Sequence, residues 1–510
     1  MKHDRRAIRT ENLKNEASMP IATSHTMTRS EKDAYISHLR RVFGTVYDVL
    51  PWITPDKAAR AEKERAEILD ALSPLASFDC RDTKPHWLTL SPGCRSCVEG
   101  GWSCLFINNI CRGGCFFCPS EQKNIDVPMT STISFTTPHD YADYLATFPF
   151  TGVAISGGEP FLTFERSIDY ITTVRERFGD SLHVWLYTSG LHVTRDRLKQ
   201  MADAGIDEIR FNICATNYSC EAAKQAAGII PVVTVEIPAV PEHTALLTEA
   251  MNRMTESGIN YLNLHQIRAT VFNAGKLAAH SYTFLHGQNA GVLESELAAL
   301  RLLRHAAKKG FSLPVNYCSL TYRNRYQSLA SRRRFASSVA KPFEEISRAG
   351  YIRRMALIGD PETLAARAAE IRNRIGEKDT WHYDRSQKRL FLTRDVLGTF
   401  DLSDVAMTIT YAAAAVHPAL TYRNPFREIP LNTRKSIIVE RAIVSPEILL
   451  SPPEAAAFIG RYLAGKSRPV TTGNPPEICG HTYPGFHSSD NVWRIIDKKE
   501  CLPRGLLEYF

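Results

Sequence analysis

Long apolar runs are what this 510-residue sequence most conspicuously lacks. No segment reaches the roughly 18 apolar residues that a membrane-spanning helix needs, so no membrane association is expected. Residues 405–416 come closest, but Thr408, Thr410 and the closing His417 and Pro418 mark them as protein core. The charged first residues, 1–16, have no apolar centre of the kind a secretion signal carries, and a cytoplasmic location is expected. Internal repeats and low-complexity tracts are also missing, which excludes solenoids and arrays.

Acidic charge is scarce in one place. The chain has 62 Lys and Arg against 54 Asp and Glu, a formal net charge of +8. Most of that surplus falls between Arg323 and Arg354, where nine basic residues meet only Glu344 and Glu345. Such a strip suits an anionic small molecule, an acidic peptide or a nucleic-acid backbone; a solvated helix face explains it equally well. Arg323, Arg325, Gln327, Arg332, Arg333 and Arg334 could grip carboxylate or phosphate through forked hydrogen bonds.

At 44% hydrophobic and 23% charged residues, the chain has the makings of a large core and more than one domain. Residues 1–85 read as a helical extension, with Thr54 and Pro55 as cap and first-turn proline of a helix over 56–72. The core spans 86–322, a basic linker follows over 323–349, and an α+β domain with a tail occupies 350–510. Within the core, strands are predicted at 103–108, 152–156, 183–187, 208–213, 230–237, 261–266 and 313–317, with amphipathic helices between them. Strand and helix alternate about six times, which predicts an α/β fold with parallel strands. The length falls short of the about 250 residues of a closed eight-unit barrel, so a partial (β/α)6 TIM-type barrel is expected.

Six of the 12 cysteines crowd between Cys94 and Cys118. In a reducing compartment such thiols serve as metal ligands more often than as disulfides. Cys111-Arg-Gly-Gly-Cys115-Phe-Phe-Cys118 directly follows the first predicted strand, where sites of parallel α/β folds gather. Three thiolates on one loop can bind three irons of a cubane and leave the fourth open, whereas structural zinc prefers paired ligands and closed coordination.

This triplet, with Ser156-Gly157-Gly158-Glu159-Pro160 after the next strand, resembles the signature of the radical S-adenosylmethionine (SAM) superfamily, and in particular its pyruvate formate-lyase-activating-enzyme-like branch. The resemblance covers residues 102–317. It implies a [4Fe-4S] cluster on Cys111, Cys115 and Cys118, and SAM bound to its open iron and held at Gly157, Gly158 and Glu159. Thr188 and Ser189, after the third strand, are similar in placement to residues that contact SAM; Gln266 and Arg268, after the sixth, are expected to face SAM or substrate. It also implies an electron donor such as flavodoxin or ferredoxin, and reductive cleavage of SAM to a 5′-deoxyadenosyl radical that takes hydrogen from a peptide, protein or anionic substrate.

Cys94-Arg-Ser-Cys97 is a second metal-type pair, and with Cys318 it is expected to seed an auxiliary iron-sulfur cluster or other metal site. Cys318 has a competing role as hydrogen donor to a substrate radical. His265 and Glu236, near strand ends, are candidate catalytic groups. Cys479, His481, His487 and Cys501 form a weaker zinc-compatible set. Two other functions stay open at this point: a non-catalytic iron-sulfur or zinc electron-transfer scaffold, and an RNA-modifying radical SAM enzyme.

Overall fold

The computed structural model describes residues 24–397, 405–463 and 490–510. Its centre is a run of seven parallel strands in sequential order: β1 (Trp102–Phe106), β2 (Gly152–Ser156), β3 (His183–Thr188), β4 (Glu208–Phe211), β5 (Val232–Pro238), β6 (Tyr261–His265) and β7 (Val315–Cys318). Helices such as Pro138–Thr147, Phe164–Phe178, Arg195–Asp203, Thr244–Glu256 and Leu293–Lys309 connect successive strands. Several begin where the sequence places a cap: Thr137 accepts from the Asp140 amide at 3.1 Å and Thr194 from the Arg197 amide at 3.3 Å. All seven predicted strands form, and the last, leading to Cys318, pairs with β6, one strand more than the six units of the expected barrel.

The sheet curls but does not close. Strands β1 and β6 are five places apart, about 24 Å in a flat sheet. Yet Asn273, in the loop after β6, donates to the carbonyl of Phe117, in the loop after β1, at 2.9 Å. The free edges are covered instead of joined. An antiparallel hairpin, Ser77–Asp79 with Lys84–Trp87, pairs with β7, and short antiparallel strands at Met129–Thr130 and Ile133–Ser134 extend beyond β1.

Strand alternation divides the side chains. Ile209, Phe211, Leu262, Leu264, Val315 and Tyr317 point out into the core beneath the helices. Glu208, Arg210, Asn263 and Asn316 point the other way, into the barrel, where the short helix Pro92–Val98 plugs the interior. Its Gly93 amide donates to Glu208 at 3.0 Å, and Cys94 Sγ accepts from Asn263 at 3.3 Å.

The helix Pro55–Leu72 forms as its cap signal predicts and packs on the barrel. Its Arg65, fully buried, pairs with Glu296 at 2.9 Å and stacks over the Tyr509 ring. The second unit is an antiparallel sheet: β8 (Ile352–Ile358), β9 (Trp381–Asp384), β10 (Arg389–Leu392), β11 (Ala406–His417), β12 (Phe426–Pro430) and β13 (Ser436–Ile443), in the order β9-β10-β8-β11-β13-β12. The apolar run at 405–416 is thus the long strand β11, paired with both β8 and β13. No helix among the described residues is long and apolar enough to cross a membrane.

Candidate functional site

Because β1 to β7 are parallel, the segments after them share one rim of the barrel. The triplet loop follows β1, and its Gly113 is a cradle for two thiols: a Cβ placed there would lie 3.4 Å from Cys111 Sγ and 3.6 Å from Cys115 Sγ. The Gly113 amide also donates to Cys111 Sγ at 3.3 Å. All three cysteines are half-buried, and Phe116 stacks on His280 with ring centroids 4.2 Å apart, shielding the loop on one side. Burial pushes the Cys115 thiol up to about 11, with the neighbouring Cys111 and Cys118 adding to the rise. Among the described residues no three ligating side chains already meet at one point as around a single ion. Three half-buried thiols spread along one glycine-rich loop fit a cluster, whose ligands sit on separate irons, better than one zinc.

The glycines after β2 are required by contact, not only by flexibility. A Cβ on Gly157, at φ +122°, would fall 2.0 Å from the Asn108 carbonyl oxygen, and one on Gly158 would fall 1.9 Å from that of Ile110. The triplet loop therefore rests directly on this turn. Asn108 locks the two together, donating to the Glu159 carbonyl at 3.0 Å and to Thr163 at 2.7 Å while accepting from the Gly158 amide at 3.2 Å. Glu159, fully buried, accepts from Thr188 Oγ1 at 2.9 Å, the Ser189 amide at 2.6 Å, the Ser189 hydroxyl and the Phe161 amide at 3.1 Å. The structure thus joins Gly157, Gly158, Glu159, Thr188 and Ser189 into one unit, and the Glu159 carboxylate is spent on holding it.

Across the rim, His265 ends β6 beside Cys318 in register. Burial, with the charges of Arg323 and Arg268, pushes the His265 imidazole down to about 4, so it is neutral near pH 7. Gln266 is buried, its amide donating to the Val292 carbonyl at 3.1 Å. Arg268 is half-buried, its Nε has no hydrogen-bond partner, and burial with the nearby Arg323 charge lowers its pKa. Glu236 lies inside β5 and accepts from Arg210 at 2.6 Å and Asn263 at 3.2 Å. A separate cleft, lined by Tyr35, His286, Asn324 and Tyr509, reaches Gln266 from the side and holds none of the cysteines.

The basic segment is not a solvated strip. Residues 323–339 are helical, and most of the arginines singled out turn to backbone carbonyls: Arg325 to Gly505 at 2.7 Å, Arg332 to Ala349 at 3.0 Å, Arg333 to Arg348 at 2.8 Å and Arg334 to Gly100 at 2.7 Å. Each of these four guanidiniums holds a backbone carbonyl, while Arg325 Nη2 and Arg334 Nε are buried without a hydrogen-bond partner. Gln327 instead donates to Cys97 Sγ at 3.1 Å, and Tyr322 does so at 3.2 Å. Cys479, His481 and His487 lie outside the described residues.

Sequence reasoning missed Asn108, Asn273 and the buried pair Glu208 and Arg210, 2.8 Å apart. The pair had a signal, two charges at i and i+2 in an apolar strand; the asparagines had none.

A partly open parallel barrel with a cysteine loop on one rim defines a class of metal-cofactor enzymes. Residues 105–245 match the radical SAM superfamily, so the chain carries a radical SAM domain, which supports an enzyme of radical SAM type. A domain of this type implies a [4Fe-4S] cluster and SAM. The chain is also 27% identical over 365 residues, 68% of its own length and 94% of the relative's, to a Methanocaldococcus jannaschii protein provisionally described as a glycyl-radical enzyme activating enzyme. Two solved structures of SuiB from Streptococcus suis superpose loosely. The form bound to the precursor peptide SuiA gives a TM-score of 0.27 at 12% identity over 41% of this chain and 44% of that one. The form bound to SAM gives 0.34 at 10% identity over 59% and 67%. Superpositions this loose carry no argument.

Proposed function

We propose that this enzyme holds a [4Fe-4S] cluster on Cys111, Cys115 and Cys118, binds SAM on the Gly157–Ser189 unit and abstracts hydrogen from a peptide or protein segment. When bound, cluster and SAM supply the hard chemistry: one electron yields methionine and a 5′-deoxyadenosyl radical. The observation that carries this reading is the packing of the triplet loop on Gly157 and Gly158, which lets no side chain between them. The residues of this chain position and exclude: Asn108 and Glu159 fix the turn, and Phe116 and Phe117 keep water from the loop.

The relative's description favours a protein substrate for this chain. Arg268, with its unpartnered Nε and Arg323 nearby, suits a carboxylate on that substrate. RNA is the weaker reading, since the arginines that would have tracked a phosphate backbone are turned inward. A flavodoxin or ferredoxin of the cytoplasm is the natural electron donor.

Anaerobically reconstituted protein, given dithionite and SAM, is expected to release 5′-deoxyadenosine, and the Cys115→Ala variant is expected to release none. Absence of product from wild type, under conditions where a known radical SAM enzyme turns over, would overturn the reading.

A further inference from the structure

Four cysteines outside the triplet surround one buried ammonium group. Lys84, on the edge hairpin, is 1% exposed, lies over the Tyr322 ring with its Nζ 4.4 Å from the centroid, and has no carboxylate partner among the described residues. The titratable groups it faces are the thiols of Cys318, Cys94, Cys97 and Cys80. A buried cation with no counter-charge is costly.

The four come from three elements. Cys94 and Cys97 sit on the helix that plugs the barrel, and Cys318 ends β7. Cys80 sits on the hairpin turn, in which Cys80, Arg81 and Asp82 all adopt positive φ (53°, 53° and 65°). Three consecutive non-glycine residues in that region are unfavourable, and the turn is pinned where it meets β7: Ser319 Oγ donates to the Thr83 carbonyl at 2.6 Å. Around the thiols stand donors suited to negative sulfur: Asn263 and Asn316 beside Cys94 at 3.3 and 3.8 Å, Tyr322 and Gln327 beside Cys97. Asn316 Oδ1 is buried without a partner in the same place.

We propose that Cys80, Cys94, Cys97 and Cys318 ligate a second iron-sulfur cluster inside the barrel, with Lys84 as its counter-charge. A cubane with four thiolate ligands carries net negative charge in its oxidised form, which pairs the ammonium. Iron-sulfur fits better than zinc because no three of these sulfurs converge on one ion position, whereas a cubane spreads its ligands over four irons. Ligation also assigns Cys318: a thiolate on iron has no hydrogen to give, so it is not the donor to a substrate radical.

The test is independent of the radical SAM site. Anaerobically reconstituted wild type is expected to hold about eight irons and eight sulfides per chain. The variant Cys111→Ala/Cys115→Ala/Cys118→Ala should keep about half of each, in a cluster whose electron paramagnetic resonance spectrum does not respond to SAM. Adding Cys80→Ala and Cys97→Ala should remove that remainder. Lys84→Met, which needs no ligand change, should keep the iron and move the midpoint potential of this cluster to a more negative value. A triple variant with no iron, or with one zinc in its place, overturns the proposal, as does an unshifted potential in Lys84→Met. Wild type with about four irons that respond to SAM overturns it too, while leaving the radical SAM site standing.

Discussion

Replacing Gly158 by alanine isolates the contact between the cysteine loop and the turn after β2. The new Cβ would sit 1.9 Å from the Ile110 oxygen, where ordinary contact begins at 3.4 Å, so one of the two backbones must retreat by about 1.5 Å. Ile110 is the residue before Cys111, and the turn is anchored below by Asn108 and Glu159, so the loop is the part that yields. A displacement of about 1 Å at a reacting centre costs on the order of a hundredfold in rate. Gly158→Ala is therefore expected to cut 5′-deoxyadenosine release about a hundredfold and to weaken SAM binding, with little change in far-UV circular dichroism. Gly275→Ala, where a Cβ meets nothing within 4 Å, serves as the control and should match wild type. If Gly158→Ala retains full activity, the loop does not depend on this contact and the account of the site is wrong.

Arg210→Met should destabilise the barrel by about 3–5 kcal/mol at pH 7, because it strands Glu208 and Glu236 in the interior. Burial alone raises the Glu208 carboxyl, but Arg210, aided by His183 and Thr234, holds it at about 2, below its usual value. That stability is present above pH 4.5 and lost as pH falls toward 2; in the variant Glu208 can take up a proton, so urea denaturation should show a smaller deficit at pH 5 than at pH 7, and equal deficits would refute the pairing. Glu159→Gln puts an amide nitrogen against a cluster of donors and should weaken SAM binding about tenfold by isothermal titration while leaving cluster absorbance intact; an unchanged Kd counts against the unit described. Neutralising Arg332, Arg333 and Arg334 together should lower thermal stability and leave RNA retention on a salt gradient unchanged; a salt-sensitive loss of retention would restore RNA as substrate.

The parallel core was legible because each strand is a short apolar run closed by a polar or glycine-rich end, and the cap residues Thr54, Thr137 and Thr194 marked helix starts that the structure keeps. The triplet and the double glycine were legible because spacing along one loop survives without knowledge of the fold. What the sequence could not show were the contacts that need the curled sheet. Asn273 reaches Phe117 across 156 residues, and Lys84 meets Cys318 only because a hairpin turns back along β7. The carbonyls that meet the basic run were hidden for the same reason: charge along a chain says nothing of the groups that folding brings to it. The strand Phe426–Pro430 was also missed, since it is largely exposed and lacks the apolar alternation that marks its neighbours.

The plug formed by Pro92–Val98 has a consequence for how substrates arrive. A curled sheet stoppered at one end is a cup, not a tunnel, so the polypeptide substrate proposed above would enter and withdraw by the same opening. On that proposal, a chain end or a tight bend narrow enough to enter the cup would be the part that offers its hydrogen.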